Sequence, residues 1–199
     1  MKTTRNLAIL IFDEVEVLDF CGPFEVFSVA SRFTDPAAFQ LFTVAEKTEA
    51  ILTRGGLRVL PHHALANCPD PDLLLIPGGQ GTRREMRNET LISTIGRLSK
   101  KAELVLSVCT GSLLLAKAAL LDGLEATTHH CAIGLLREIA PRTTVHADRR
   151  FVDNGPVICS AGIAAGIDMS LHVVSRLLGK EIASKTAQQL EYPWEPTPA

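Results

Sequence analysis

The chain has 199 residues, 46% of them hydrophobic, with a formal charge of −2 when its histidines are neutral. That length and apolar content fit a single domain over residues 1–199 with a substantial core. The near-neutral charge argues against nucleic acid or an acidic membrane as a partner. The first six residues are short and polar, and residues 7–12 have only strand length. This is not the pattern of a signal peptide, and no apolar run approaches a membrane span. The five cysteines are widely spaced with no Cys-x-x-Cys pair, so free thiols and a cytoplasmic location are expected.

Residues 7–12 read as a fully buried first strand. Pro23 is expected to open a helix through Phe24, Val26, Phe27 and Val29, with Gly22 as the turn before it. Residues 39–45 and 57–60 read as strands, and residues 73–76 as a buried strand that Pro77-Gly78-Gly79 ends sharply. A helical pattern follows over residues 83–101, then a strand over 104–108 and a helix after Cys109. Residues 126–128 and 157–159 are weaker strands, residues 163–178 a helix apolar on one side, and the proline-rich tail 192–199 irregular. Alternation of this kind predicts an α/β fold, a parallel sheet with helices on both faces. Ligands then bind beyond the carboxyl ends of the strands.

Three strand ends carry unusual sequence: around Asp19, at Gly78-Gly79, and at Cys109. Cys109 stands between an apolar run and small, helix-opening residues, which is what a nucleophile elbow needs. The helix start behind it is expected to make the thiol ionise more easily than a free cysteine. Its bland alternative is a buried small hydrophobe. Backbone N–H groups of Gly79 and Thr110 are candidate donors to a developing negative charge, Gly79 having no side chain to block approach. Asp19, flanked by apolar residues, is a candidate carrier of a proton, or else a cap of the helix near Pro23. Asp13, Glu14 and Glu16 read as a solvated loop. The run Gly78-Gly79-Gln80-Gly81-Thr82-Arg83-Arg84 matches neither a P-loop nor a dinucleotide fingerprint. His129-His130-Cys131 could suggest a metal, but neighbours on a strand point to opposite faces, so neither metal nor cofactor is expected.

These residues resemble the DJ-1/PfpI superfamily, within the class I glutamine amidotransferase-like (flavodoxin-like) fold. The landmarks are Leu18-Asp19-Phe20-Cys21-Gly22-Pro23, Ile76-Pro77-Gly78-Gly79, Ser107-Val108-Cys109-Thr110-Gly111-Ser112, Ala126-Thr127-Thr128-His129 and Ala161-Gly162-Ile163-Ala164-Ala165-Gly166-Ile167-Asp168. PfpI-type members place a histidine straight after the cysteine, where this chain has Thr110, and DJ-1-like members a glutamate where it has Asp19. Aspartate combined with Cys-Thr-Gly is similar to isonitrile hydratases and to the amino-terminal domains of certain AraC-type regulators. The resemblance implies Cys109 as nucleophile, Asp19 as acid/base partner and Thr110 as a residue that orders the thiol. It makes Gly79 and Thr110 the backbone donors and Ile163 part of the pocket wall. Isonitrile hydratases usually carry threonine where this chain has Cys21, and tryptophan where it has His130; both positions, like His129, are expected near the pocket.

The activity so implied is hydro-lyase chemistry on a small-molecule isonitrile, giving an N-substituted formamide through a covalent thioimidate. Alternatives are a non-catalytic ligand- or redox-sensing regulatory protein, and a glyoxalase-like or deglycase-like enzyme, which the absence of histidine at position 110 weakens. AraC-type relatives carry a helix-turn-helix after this domain, and none is expected in the few residues beyond Glu191. A homodimer is expected.

Overall fold

The structure is a computed structural model describing residues 4–195; the extreme ends of the chain, including residues 196–199 of the proline-rich tail, lie outside the described residues. Its main sheet has seven strands: β1 (Arg5–Leu10), β2 (Phe39–Ala45), β5 (His63–Ala64), β6 (Leu73–Ile76), β7 (Leu104–Ser107), β10 (Phe151–Asp153) and β11 (Val157–Ser160). They lie in the order β10-β11-β7-β6-β1-β2-β5. All neighbours are parallel except the edge pair β10 and β11. Every residue of β6 and β7 is buried, as strands covered on both faces must be. Their register sets Leu73 beside Leu104 and Ile76 beside Ser107, while Leu75 pairs with Ile9 of β1.

Two groups of helices cover the sheet. α1 (Val17–Ser31), α6 (Ala165–Leu178) and α7 (Lys180–Gln189) pack on one another. α2 (Thr82–Glu85), α3 (Glu89–Ser99) and α5 (Ile133–Ile139) gather around α4 (Gly111–Lys117). The remaining strands form two small pairs, β3 (Ile51–Leu52) with β4 (Arg58–Val59) and β8 (Glu125–Ala126) with β9 (Thr144–Val145). From β1 the chain moves outward to β2 and β5, then returns to β6 on the other side of β1. That reversal opens a crevice beyond the strand ends, where an α/β sheet receives its ligand.

Several boundaries differ from the sequence expectation. α1 begins at Val17, not at Pro23, and the proline lies inside it. The reason is visible in its buried face: Asp19, Phe20, Gly22, Pro23, Val26, Phe27, Val29 and Ala30 keep helical spacing straight through the proline. Asp19 therefore sits in the first turn of the helix and caps nothing. The pattern over residues 83–101 is two helices, because Asn88 turns out of helical conformation and caps α3 by accepting from Leu91 N at 3.1 Å. The strand foreseen at 126–128 stops at Ala126, and the helix foreseen from 163 starts at Ala165.

Leu75 is wholly buried in a central strand. Leu75→Ala is expected to lower unfolding stability by about 2–5 kcal/mol, read from the urea midpoint at unchanged m-value.

Candidate functional site

Three polar segments meet at the crevice. β6 ends in Pro77-Gly78-Gly79, β7 ends in Val108-Cys109, and the first turn of α1 brings Asp19 between them. Gly78 N donates to Asp19 Oδ2 at 3.0 Å, and Gly79 N to Thr110 Oγ1 at 3.0 Å. A Cβ on Gly78 would stand 2.5 Å from Thr110 N and 2.9 Å from Asp19 Oδ2, so only glycine lets the three segments close. Gly79 has φ +127°, and a Cβ there would meet Glu14 O at 2.4 Å. Glycine is thus required by the 14–16 backbone rather than by an approaching substrate. Its N–H, expected to face a developing charge, is instead taken up by the Thr110 hydroxyl.

Cys109 forms the strained turn foreseen for a nucleophile elbow, with φ 56°. Its backbone is held on every side. The N–H donates to Ala161 O at 3.1 Å, and the carbonyl accepts from Thr128 Oγ1 at 2.8 Å and Ser112 Oγ at 3.3 Å. The thiol receives the backbone N–H groups of Thr110 and Ile163. Ile163 was foreseen only as pocket wall; its own left-handed turn, φ 52°, makes it a second donor.

The Asp19 side chain is buried, and its Oδ1 takes no N–H or O–H donor. Beside Gly78 N, the Cys109 thiol is the polar group that acts on this carboxylate. Burial pushes the Asp19 carboxyl up to about 7 against the Gly78 and Cys109 hydrogen bonds, with Glu16 adding a smaller push. Burial and then the facing Asp19 carboxylate push the Cys109 thiol up to about 12, outweighing the Thr110 and Ile163 N–H groups. The sequence expectation of an easily ionised thiol is therefore overturned. α4 is only seven residues long, and the low-dielectric, acid-facing setting dominates its field.

A cavity of about 200 Å³ opens above the sulfur. Thr110, Gly79, His129 and Ile163 line it as foreseen, joined by Glu16, Arg54, Gln80, Arg83 and Cys131, which sequence reasoning did not place there. Cys21 is not among the lining residues. Two positions beyond Asp19 on a helix, it points about 200° away and packs against the hydrophobic core. His130 is likewise outside the lining and stacks on His129 with ring centroids 4.2 Å apart. A 3₁₀ turn over His130–Ala132, with His129 as its N-cap, stands where a strand was expected, so the ligating atoms of His129, His130 and Cys131 lie within 4.8 Å of one another. His129 Nδ1 is already occupied, accepting from Cys131 N at 3.3 Å. A larger cleft of about 400 Å³, lined by Phe12, Glu46, Lys47, Arg84 and Glu85 among others, has no cysteine, serine or threonine in its wall. Among the described residues no helix is long and apolar enough to cross a membrane.

Residues 5–176 match the DJ-1/PfpI family. The chain belongs to that family. It is 32% identical over 94% of its length to an isonitrile hydratase of Pseudomonas putida, covering 78% of that protein. It is also 23% identical over 96% of its length to the HTH-type transcriptional regulator GbdR of Pseudomonas aeruginosa, but spans only 52% of it. A ThiJ/PfpI family protein of Pseudomonas syringae superposes with a TM-score of 0.86 at 27% identity, covering 98% of this chain and 77% of that one. The mostly parallel sheet with its flanking helices is thus the flavodoxin-like, glutamine amidotransferase-like architecture foreseen from the sequence.

The displaced Asp19 carboxyl has a consequence for stability. An unfolded chain releases this proton near the ordinary 3.8, whereas the folded protein holds it to about 7. Stability from this group is therefore lost as pH rises between those values, by roughly 4 kcal/mol at most. Asp19→Asn lacks that loss. Its melting temperature is expected to gain on the wild type between pH 5 and pH 8, and an unchanged difference would show that Asp19 titrates normally.

Proposed function

We propose that the protein hydrates a small isonitrile to an N-substituted formamide, with Cys109 as nucleophile and Asp19 as proton donor. The observation that carries this reading is the buried pair itself: a thiol on a strained elbow beside a carboxyl that still holds a proton near neutrality. Likeness to an isonitrile hydratase over most of both chains supports it.

The terminal isonitrile carbon takes a proton from the Asp19 carboxyl and a bond from the Cys109 thiolate, giving the thioimidate R–N=CH–S–Cys109. Water adds to that carbon, the C–S bond breaks, and the products are R–NH–CHO and a thiol proton returned to the pair. One hard hydration becomes two easier steps. The N–H groups of Thr110 and Ile163, already directed at the sulfur, hold it as charge moves on and off. Gly79 acts one step back, fixing the Thr110 hydroxyl through its N–H. Expulsion of water from so small a cavity strengthens each of these interactions.

A second reading has its own support. The likeness to GbdR covers nearly the whole of this chain, and a fold used in a regulator can bind a ligand at the same crevice without turnover. For assembly we infer a homodimer. Leu52, Leu57 and Leu60, on and beside the β3–β4 hairpin, are half or more exposed, an apolar surface that a two-fold partner would cover.

Incubation with an alkyl isonitrile, followed by mass spectrometry, is expected to yield the formamide from wild type and none from Cys109→Ala. Formamide from both proteins would remove Cys109 from the mechanism; ligand binding without product would establish the sensing reading. Asp19→Asn, which keeps a hydrogen bond but not the proton, is expected to lose roughly 100-fold or more in kcat. The reactive form, thiolate with carboxyl, carries one proton across the pair, whereas below about 7 the pair carries two. The value of kcat/KM should therefore rise with pH through that region, and Asp19→Asn should erase the inflexion.

A further inference from the structure

We infer that the mouth of the Cys109 cavity is a carboxylate-binding subsite, so that the electrophile reaching the sulfur carries an anionic group near its reacting carbon. For the identity of that electrophile, an isocyano carboxylate, the inference rests on the hydration proposed above; the subsite itself does not.

Two arginines from distant parts of the chain line this small cavity. Arg54 comes from the turn between β3 and β4, and Arg83 from α2. Arg83 is held in place by neutral oxygens: its Nη1 donates to Gly79 O at 3.3 Å and Thr82 Oγ1 at 3.1 Å. No carboxylate of the described residues pairs with it. Its neighbour Arg84 shows what a structural arginine in this helix does, bonding Glu85 at 2.8 Å and Asp13 O at 2.9 Å. Among the described residues the Arg54 guanidinium pairs only with Glu16, at 3.6 Å, beyond hydrogen-bonding length. Two guanidiniums thus face one carboxylate at the mouth.

His129 adds a donor to the same wall. Because its Nδ1 accepts the Cys131 N–H, the ring proton of the neutral imidazole resides on Nε2. Burial, His130, Arg83 and Arg54 all favour that neutral form, the last two acting because they stand close by. A partly buried guanidinium without an anion, beside a second one weakly paired, is the arrangement that recognises a carboxylate through charge-assisted bonds. The run Gly-Gly-Gln-Gly-Thr-Arg-Arg, which matched no phosphate motif, finds its use here: its glycines shape the turn and its first arginine faces the ligand.

Two alkylating agents of nearly equal shape test this without requiring turnover. Iodoacetate and iodoacetamide both form an S–CH₂ bond and release iodide, but only the first is anionic. Site-resolved mass spectrometry gives the rate ratio at Cys109, with glutathione as the reference thiol. Wild type is expected to show a ratio of iodoacetate to iodoacetamide at least tenfold above that of glutathione. Arg83→Gln and Arg54→Gln should each pull it down severalfold, while Arg83→Lys, which keeps the charge, should restore part of it. A wild-type ratio no higher than that of glutathione, or one that neither glutamine variant changes, overturns the subsite. In parallel, isocyanoacetate and its neutral methyl ester are compared as substrates, the acid being expected to have the higher kcat/KM by tenfold or more. Preferred alkylation by iodoacetate with no formamide from either compound keeps the subsite and removes the hydration. Formamide formed preferentially from the ester keeps the hydration and overturns the subsite.

Discussion

The hydrogen bond from Gly78 N to Asp19 Oδ2 ties the end of a central strand to the first turn of α1, and the site depends on it. It forms at a point where no Cβ fits, with Thr110 pressed against the same glycine from the next strand. One contact therefore fixes three things together: where the helix starts, how close β6 and β7 bring their ends, and where the carboxylate lies. The closure also keeps water from the carboxylate. A carboxyl satisfied on one oxygen and left without an N–H or O–H donor on the other keeps its proton to an unusually high pH. Packing geometry and proton affinity are here one property seen twice.

Two of the left-handed non-glycine turns converge on a single atom. Cys109 and Ile163 both hold left-handed backbone angles, each at a cost of about 1–3 kcal/mol, and both turns serve the same sulfur. The first places the thiol above the sheet; the second aims an N–H at it. Such turns persist only where their surroundings over-determine them. Bonds from Thr128 and Ser112 to the Cys109 carbonyl, and from Cys109 to Ala161, supply that constraint. These partners come from the start of α4, from the loop before the 3₁₀ turn and from the end of β11, so three separate segments brace the elbow.

Much of this architecture was legible in the sequence, for definable reasons. Residues 39–45 and 73–76 became strands with the boundaries foreseen, because short apolar runs bounded by turn residues admit few alternatives. The Cys109 turn and the apolar setting of Asp19 were legible because their signals are local. α1 starts before its sequence expectation because proline is a strong local signal, and the spacing of its buried face, which overrides it, begins four residues earlier. Strand alternation separates His129, His130 and Cys131, but the chain turns tightly here, and alternation does not apply to a turn. Arg54 and Arg83 carry no local signal at all. An arginine in a turn or a short helix becomes part of a cavity only when residues far away in sequence are folded over it. The proton affinity of the thiol is hidden from the sequence for the same reason, since a helix start can be read locally and a buried carboxylate facing it cannot.

The distribution of charge within the site has a logic that net charge conceals. The whole chain carries −2, yet the mouth of this cavity holds two guanidiniums against one carboxylate. Both guanidiniums act on His129 at the rim, but neither is among the groups that shift Asp19 in the depth. That separation matters for chemistry. A cation beside Asp19 would favour the ionised carboxylate and remove the proton that the proposed reaction consumes. Placed at the rim, the same cation can offset the charge of an incoming anion without reaching the acid. Glu16 sits between the two regions, pairing loosely with Arg54 while adding slightly to the proton affinity of Asp19. An anion bound at the rim would act on Asp19 in the same direction as Glu16, raising its proton affinity further. On this arrangement, occupancy of the mouth and protonation of the acid reinforce one another.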